Sequence, residues 1–518
     1  MSETKEYIVS LKRGVDYDAF WNQIENTSAD DGFVPSRRVD IVNNRDGSLR
    51  MCHYALTDAE AAQLKNDPRV YDVEIPPDQR TDIAIVRTAT QTSDFTKTTS
   101  DSGSFVNWGL RRMISESNPY SGNLVSGGYT HTLDGTGVDV VIHDSGIQAD
   151  HPEFQDSQGN SRVQEINWYT ASGLSGTQPA GFYTDYDGHG THCAGIAAGK
   201  TYGWAKNARV YALKVDGLEG GSDPNGGIPI SDCFDVIKQW HANKPVDPAT
   251  GVKRPTIVNM SWGYQTFYST VTSMTYRGTN YTGTSIDSTN ERWAFGLVPL
   301  SGFPYATYRT NVRISSVDVD IQELIDAGVH VCIAAGNSYH KIDVQSGSDF
   351  NNFAVTNAGT IYYHRGSSPF DDEALKVGNI DSTEYGSGVE QCAESSEKGP
   401  GVDIWAPGTN IMSATSNVNK WGSGSQNYYL DSNFKQTNIS GTSMAAPQVC
   451  GLGALYLQIN PSATPAELKS WLQSQAKSTL YSTGLDNDYT DYRSLLGSGN
   501  RFAFQPFNSA TKLRISGS

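Results

Sequence analysis

The chain has 518 residues, 37% hydrophobic and 18% charged, and 39 Lys+Arg against 56 Asp+Glu leave a net charge of −17. That length allows two to four domains and a core large enough to fold without disulfide or metal staples. The acidic balance argues against the basic face a nucleic-acid partner needs, and no run approaches the about 18 uninterrupted apolar residues of a membrane span.

Residues 6–76 read as a small α+β unit. Tyr7, Val9 and Leu11 alternate as in a strand, and Phe20, Trp21 and Ile24 share one helical stripe. Asn44-Arg45-Asp46-Gly47 has the composition of a hairpin turn whose Asp-Gly pair favours positive φ. Thr57-Asp58-Ala59-Glu60 is a capping box, and the helix it opens must end before Asp67-Pro68. Val70, Val73 and Ile75 supply a last strand, completing the split β-α-β-β-α-β, ferredoxin-like order. Residues 81–104 are then dominated by Thr, Ser and Asp and read as an exposed, cleavable linker.

From about residue 105 the pattern alternates strand and helix. Val138–His143, Ala208–Val215, Thr256–Ser261 and Val329–Ala335 are near-continuous apolar runs, as in a parallel sheet covered on both faces. Ser231 is placed to cap a helix carrying Phe234, Ile237 and Trp240. A second helix carries Val317, Ile321, Leu324 and Ile325 and stops at Gly328, and Thr464-Pro465-Ala466-Glu467 opens a third with a capping box. The fold class is therefore α/β, a doubly wound, mostly parallel sheet preceded by the small α+β domain. Ligands of such sheets bind outside the carboxyl ends of the strands. The six cysteines have no CxxC spacing, which argues against a zinc ribbon or a thioredoxin-like motif, and Cys332 and Cys450 sit in apolar runs as buried thiols.

Four short motifs fall where that rule directs attention. Asp144, in Ile142-His143-Asp144-Ser145-Gly146, ends a buried strand. His189, in Asp187-Gly188-His189-Gly190-Thr191-His192, starts a helix. Asn337 follows Ala334-Ala335-Gly336 at another strand end, and Ser443, in Gly441-Thr442-Ser443-Met444-Ala445-Ala446-Pro447, opens a long apolar helix. Each alone has a plain reading as a turn, a cap or a metal-type histidine pair. Together they supply a nucleophile, a base, a carboxylate to fix the base's tautomer and a fixed donor for a developing oxyanion, the requirements of acyl transfer. The order Asp, His, Ser is one of the known orders of that triad, and the absence of a second Gly after Ser443 disfavours the G-x-S-x-G elbow.

These motifs together resemble the subtilisin-like serine proteases (subtilases, peptidase family S8). Trp108-Gly109-Leu110, Cys193 and Gly199-Lys200-Thr201-Tyr202-Gly203-Trp204-Ala205-Lys206 are similar to the proteinase K branch, and residues 6–76 resemble an inhibitor I9 propeptide. The resemblance implies a propeptide over 1–80 acting as chaperone and inhibitor, the linker at 81–104, and a peptidase domain over 105–518. It implies Ser443 as nucleophile, His189 as general base and Asp144 as its orienting carboxylate. The Asn337 amide and the Ser443 backbone N–H would form the oxyanion hole. His192 would be structural, and His143 has no family role. Ser261-Trp262-Gly263 would pair with the substrate backbone, and Ala334-Ala335-Gly336 would form the other S1 wall, whose small uncharged residues suit large apolar or aromatic P1 side chains. Asp403, assisted by carbonyls near Ala374, matches a calcium ligand, except that Asp372 stands where a proline is expected. Structural calcium is thus the one cofactor implied, with none for the chemistry. The partners implied are a protein or peptide substrate and the chain's own propeptide.

Two features depart from the family pattern. Ser261 and Asn337 are 76 positions apart, an excess carried by about 264–312, and a second insert covers about 338–371. Both are expected beside the substrate cleft, as long loops that narrow it or dock a partner, with plain surface decoration as the alternative. The N-terminus MSETKEYIVS also lacks a basic n-region followed by an apolar stretch, so no secretory signal is expected. Cytoplasmic residence or a non-standard export route follows. The inserts and Gly366-Ser367-Ser368-Pro369 are similar to phage-encoded subtilases, which implies an alternative role as a virion-associated or structural protein on a protease scaffold. A sedolisin-type hydrolase is disfavoured by Asn337 and His189.

Overall fold

The computed structural model describes residues 3–26, 32–86, 90–91, 107–116, 131–215, 226–298, 308–384, 389–482 and 493–508. Its centre is an eight-stranded sheet. Asp139–Asp144 lies between Thr256–Met260 and Arg209–Lys214, with Val163–Gln164 beyond the latter. On the other side follow His330–Ala334 and Leu375–Glu384, which also takes Ile404–Pro407, and all of these pairs are parallel. Only Glu390–Cys392 runs antiparallel, at the edge. The alternation of a strand sends Val140 and Ile142 to one face and Val141 to the other. One face is covered by the helices His189–Ala198 and Thr442–Ile459, the other by Ile230–Asn243 and Ser315–Asp326. Burial on both sides is why these strands read as continuous apolar runs.

The helix signals hold with one exception. Gly328 follows the C-cap of Ser315–Asp326 at φ +85°, and Thr464 and Glu467 form the expected capping box. Ser231 is no cap: the helix begins at Ile230 with Pro229 before it, because proline's fixed φ already starts the turn. All six cysteines are buried and unbridged.

Residues 5–74 form a four-stranded antiparallel sheet in the order Asp40–Asn43, Met51–Leu56, Lys5–Leu11, Val70–Glu74. The helices Tyr17–Asn26 and Asp58–Leu64 bury Phe20, Ile24, Ala61 and Leu64 against Val9 and Leu11. The opposite face puts Ile8 and Met51 on Val319 of the Ser315–Asp326 helix. A turn drives into the same surface. Arg45 Nε donates to Asp235 at 2.8 Å and Nη2 to Asp320 at 2.7 Å, all three side chains being buried. The positive φ expected of Asp46-Gly47 falls instead on Arg45, at +49°. The two buried ion pairs, and the Asn43 side chain that accepts from the Arg45 N–H at 2.9 Å, offset a strain of about 1–2 kcal/mol. Gly47 serves close approach: a Cβ there would lie 2.4 Å from the Asp235 Cβ. Glu323 reinforces the dock by accepting from Ser48 Oγ and from the Leu49 and Arg50 N–H groups.

The expected linker begins exposed at Thr81 and Asp82 but does not stay so. Ala84–Val86 is a strand with Ile85 and Val86 buried, and Thr90–Gln91 is another; 87–89 and 92–106 lie outside the described residues. The two inserts are not irregular loops either. Val271–Tyr276 and Thr279–Tyr281 from the first join Phe353–Thr356 and Gly359–Tyr362 from the second in one antiparallel sheet. Tyr268, Met274, Leu297, Tyr308, Ala354 and Tyr363 give it a core of its own, with the Tyr268 and Tyr308 rings stacked 5.3 Å apart. Burial alone would raise the Asp349 carboxyl, but Arg277 at 2.7 Å and Lys341 at 2.8 Å hold it below the usual carboxylate range.

Arg45→Ala strands two buried carboxylates at the dock, a loss of about 3–5 kcal/mol. Amide exchange of Lys5–Leu11 in the intact chain should accelerate accordingly, while the core strand Thr256–Met260 keeps its protection. Unchanged exchange in both would show that the turn is not what seats this unit.

Candidate active site

Asp144 is the last residue of the central strand, and His189 the first of a helix that starts opposite it. Both are fully buried, and His189 Nδ1 lies 3.0 Å from each Asp144 carboxylate oxygen. Asp185 builds the turn that holds them. Its carboxylate accepts from Ser145 Oγ at 2.9 Å, from the Gly188 and Thr191 N–H groups at 2.8 and 2.9 Å, and from Thr191 Oγ1 at 2.6 Å. Burial pushes that carboxyl up, and these donors oppose the shift. His189 Nε2 is buried and has no hydrogen-bond partner among the described residues.

Ser443 sits one residue into the Thr442–Ile459 helix, beneath a proline. Pro447 has no N–H, so the Ser443 carbonyl four residues back gets no helical donor. Ser261 Oγ donates to that carbonyl at 2.9 Å and Cys193 Sγ approaches it at 3.4 Å. In return Ser443 Oγ donates to the Ser261 carbonyl at 3.1 Å. One turn on, Gln448 Oε1 accepts from Trp204 Nε1 at 2.8 Å and Asn107 Nδ2 at 2.9 Å, tying the helix to the segments around Trp108 and Trp204.

Asn337 lies beside this helix start. Its Oδ1 accepts from Thr442 N and Oγ1 at 2.9 and 3.0 Å, which turns Nδ2 the other way. The wall before it, Ala334-Ala335-Gly336, begins with the last residue of the His330–Ala334 strand. Gly336 stands at φ +116°, and a Cβ there would come within 2.7 Å of both Asn311 and Glu397. Those two side chains belong to a buried polar set behind the wall. Glu397 Oε1 accepts from Asn311 Nδ2 at 3.0 Å and Ser338 N at 3.2 Å, and Gln265 Nε2 donates to Asn311 Oδ1 and Ser338 Oγ, each at 2.7 Å. Burial pushes the Glu397 carboxyl up to about 8.

The opposite wall is the strand that starts at Gly263. It pairs antiparallel with the chain's own Ala84–Val86, Gly263 facing Val86 and Gln265 facing Ala84, and Thr266 Oγ1 donates to the Asp82 carbonyl at 2.9 Å. Beyond Ser443, Thr90 and Gln91 pair with Ser440 and Ile439. The Trp262 side chain points into the core, its ring edge-on to His143 at 5.2 Å, so only its backbone belongs to the wall. His143 is buried between Phe234 and Trp262, which lowers its pKa to about 3. His192 Nε2 lies 3.1 Å from the Ile411 and Thr437 carbonyls, a structural position.

Asp403 lies apart from this cluster, with Lys376 and Lys469 on its carboxylate. Among the described residues, the one trio of metal-type side chains within reach of each other is Asp144, His189 and Cys193. The His189–Asp144 hydrogen bonds engage the very atoms a metal would take. Sequence reasoning missed Asp185, Pro447, Gln265, Asn311 and Glu397. Asp185 and Pro447 carry local signals, an Asp just before a helix start and a proline inside a helix. The other three come together only through the tertiary fold.

The pattern described as the Subtilase family matches residues 135–498. An extracellular serine proteinase of Thermus sp. (strain Rt41A) is 28% identical over 435 residues, 84% of this chain and 72% of its own length. Alkaline serine exoprotease A of Vibrio alginolyticus is 26% identical over 421 residues, 81% of this chain but 54% of its own length, so the chain spans only about half of that relative. Among solved structures, fervidolysin from Fervidobacterium pennivorans, a keratinolytic enzyme related to subtilisin, superposes on 96% of this chain and 60% of its own at a TM-score of 0.53 and 17% identity. That likeness supports the fold, and the family pattern covers well over half of the chain, so the chain belongs to the subtilase family of serine peptidases.

Proposed function

We propose that the chain is the precursor of a serine endopeptidase that cuts itself between its N-terminal unit and its peptidase domain. The observation that carries this reading is the path of residues 84–91. The chain pairs with the Gly263 wall on one side of Ser443 and with Ile439–Ser440 on the other, as a bound substrate would. Residues 1–80 then act as an I9-type propeptide, 81–104 as the segment cut and 105–518 as the peptidase.

In this reading His189, oriented through Nδ1 by Asp144, takes the Ser443 proton at Nε2. Ser443 Oγ leaves the Ser261 carbonyl by rotation about χ1, attacks the substrate carbonyl and forms a tetrahedral oxyanion. The Asn337 amide and the Ser443 N–H hold the oxyanion, a contribution of about 3–4 kcal/mol for one such donor. His189 then protonates the leaving amine, whose departure leaves the acyl-enzyme, and water releases the acyl group by the same steps in its place. The small Ala334-Ala335-Gly336 wall suits large apolar or aromatic P1 residues in foreign substrates. The stretch Val86-Arg87-Thr88-Ala89-Thr90 offers none, but an intramolecular segment needs no P1 affinity, because its effective concentration is already high. The joined inserts line the outer side of the Gly263 strand through Tyr308–Asn311 and so shape the cleft.

A serine-directed fluorophosphonate should label the processed wild type and leave Ser443→Ala unlabelled. Intact mass should show Ser443→Ala at full length, while the wild type carries a new N-terminus at one of residues 87–90. Equal processing of both would assign the cut to another protease, and a wild type that is processed but unlabelled would overturn the catalytic reading.

Glu397 yields a pH expectation. Its folded pKa of about 8 lies above an ordinary 4.5, so folding favours the neutral form. Its contribution is therefore complete below about 4.5 and is lost as pH rises toward 8. The stability difference between a Ser443→Ala chain and the same chain with Glu397→Gln, followed by denaturant midpoint, should move in favour of the Gln form across that window. A pH-independent difference would mean that Glu397 is charged in the fold.

A further inference from the structure

The family resemblance places a calcium ligand at Asp403, and the surrounding residues allow a test of fit. Three oxygens converge near it as a hard cation would require: the Asp403 carboxylate and the Asp372 and Ala374 carbonyls. The group at their focus is the Lys469 ammonium, 2.8 Å from Asp403 Oδ1, 2.5 Å from Asp372 O and 2.9 Å from Ala374 O. Three donors meet three acceptors, the full capacity of an ammonium. A second ammonium closes the other side. Lys376 Nζ lies 3.0 Å from Asp403 Oδ2 and 2.7 Å from Asp371 O, and the Lys376 N–H also donates to Asp403 Oδ2 at 2.9 Å. A calcium ion does not fit here. Both carboxylate oxygens are used, the carbonyls are taken, and a divalent ion would have to sit against two positive charges around one carboxylate.

We propose that Lys469 is a built-in cation, its ammonium doing at this cradle the work of a structural calcium ion. Each connection has a structural consequence. Lys469 is carried by the Pro465–Gln475 helix. Asp403 immediately precedes the Ile404–Pro407 strand, and residues 371–374 lead into the Leu375–Glu384 strand. One side chain thus joins a surface helix to the starts of two neighbouring sheet strands. The same loop begins at Ser367, which accepts from the Tyr264 N–H at 2.7 Å, so the clamp also steadies the base of the Gly263 wall. A tethered ammonium cannot be removed by a chelator or lost by dilution, whereas a bound ion can.

The test uses the unprocessed Ser443→Ala chain, stripped of metal with EDTA and then equilibrated with CaCl2 alone. Calcium bound per chain is counted by elemental analysis, with and without Asp403→Asn. The proposal expects the same count in both, whatever calcium is held elsewhere; one ion fewer with Asp403→Asn would overturn it. Separately, Lys469→Met should lower the thermal midpoint in EDTA by about 5 °C or more. Lys469→Arg, which keeps the charge, should recover part of that loss. A Met variant as stable as its parent in EDTA would overturn the proposal even if the calcium counts agree.

Discussion

Pro447 lacks an amide hydrogen, and the site around Ser443 is arranged about that absence. A helix interior normally returns every carbonyl to the N–H four residues on, and here the carbonyl left over belongs to Ser443. Left unpaired in the core it would cost about 1–3 kcal/mol. Ser261 fills the vacancy, and Ser443 answers by donating back to the Ser261 carbonyl. The reciprocal pair fixes the helix start against the end of the Thr256–Met260 strand, and with it the distance between Ser443 and the Gly263 wall. Cys193 contacts the same carbonyl from the helix that begins with His189. Ser443, His189 and the Gly263 wall are therefore referenced to one carbonyl group. Each comes from a different part of the chain, and none could be moved without reopening that vacancy.

This explains why the site is legible in sequence and the insert architecture is not. Asp144, His189, Asn337 and Ser443 each stand where a strand ends or a helix begins, and such boundaries leave local marks: apolar runs, a glycine, a helix-opening serine. The sheet made by Val271–Tyr276 and Phe353–Thr356 leaves none, because its two halves are separated by the Ser315–Asp326 helix and a core strand. Its pairing is a long-range event that composition rich in Tyr, Thr and Ser does not encode locally. Arg45 fails for a related reason. The hairpin turn is visible, but the residue that takes positive φ is chosen by two carboxylates on distant helices, Asp235 and Asp320. Tertiary charge pairing overrides the ordinary turn preference. Gln265, Asn311 and Glu397 follow the same rule: each is unremarkable in its own segment, and together they are the back of the Gly336 wall.

The N-terminal unit and the cleft form one continuous piece of recognition. The unit is seated by buried ion pairs on two helices, and from that seat the chain descends through Arg80 and Asp82 into the strand pair at Gly263. Five backbone pairs, three at the Gly263 strand and two at Ile439–Ser440, and one side-chain bond would be a weak ligand alone. Attached to a docked domain they act at high effective concentration, so a short segment of ordinary composition fills the cleft. After a cut, the link between seat and cleft survives on the N-terminal side, since the Gly263 pairing lies upstream of residues 87–89. A cleaved N-terminal unit would thus still hold the cleft. In the proposed precursor reading, inhibition would end with the loss of the seat rather than of the strand, so Arg45, Asp235, Asp320 and Glu323 would govern its persistence more than the residues in the cleft.

The −17 charge takes on a different meaning in this setting. A chain this acidic has many oxygen donors that could recruit metal ions, yet several of its buried or half-buried carboxylates are matched by covalently attached cations. Arg45 meets Asp235 and Asp320, Lys341 meets Asp349, Arg112 meets Glu390, and Lys376 meets Asp403. Buried pairs are screened little by salt, so these joints should hold across ionic strengths that dissolve surface pairs. They also share a location. Arg45 fixes the N-terminal unit, Lys341 the insert sheet, Arg112 the edge strand at Glu390, and Lys376 with Lys469 the loop behind the Gly263 wall. Each fastens a peripheral segment, at the edge of the central sheet or outside it. Fixing the cations to the chain makes those attachments a property of folding itself, independent of which ions the surroundings supply.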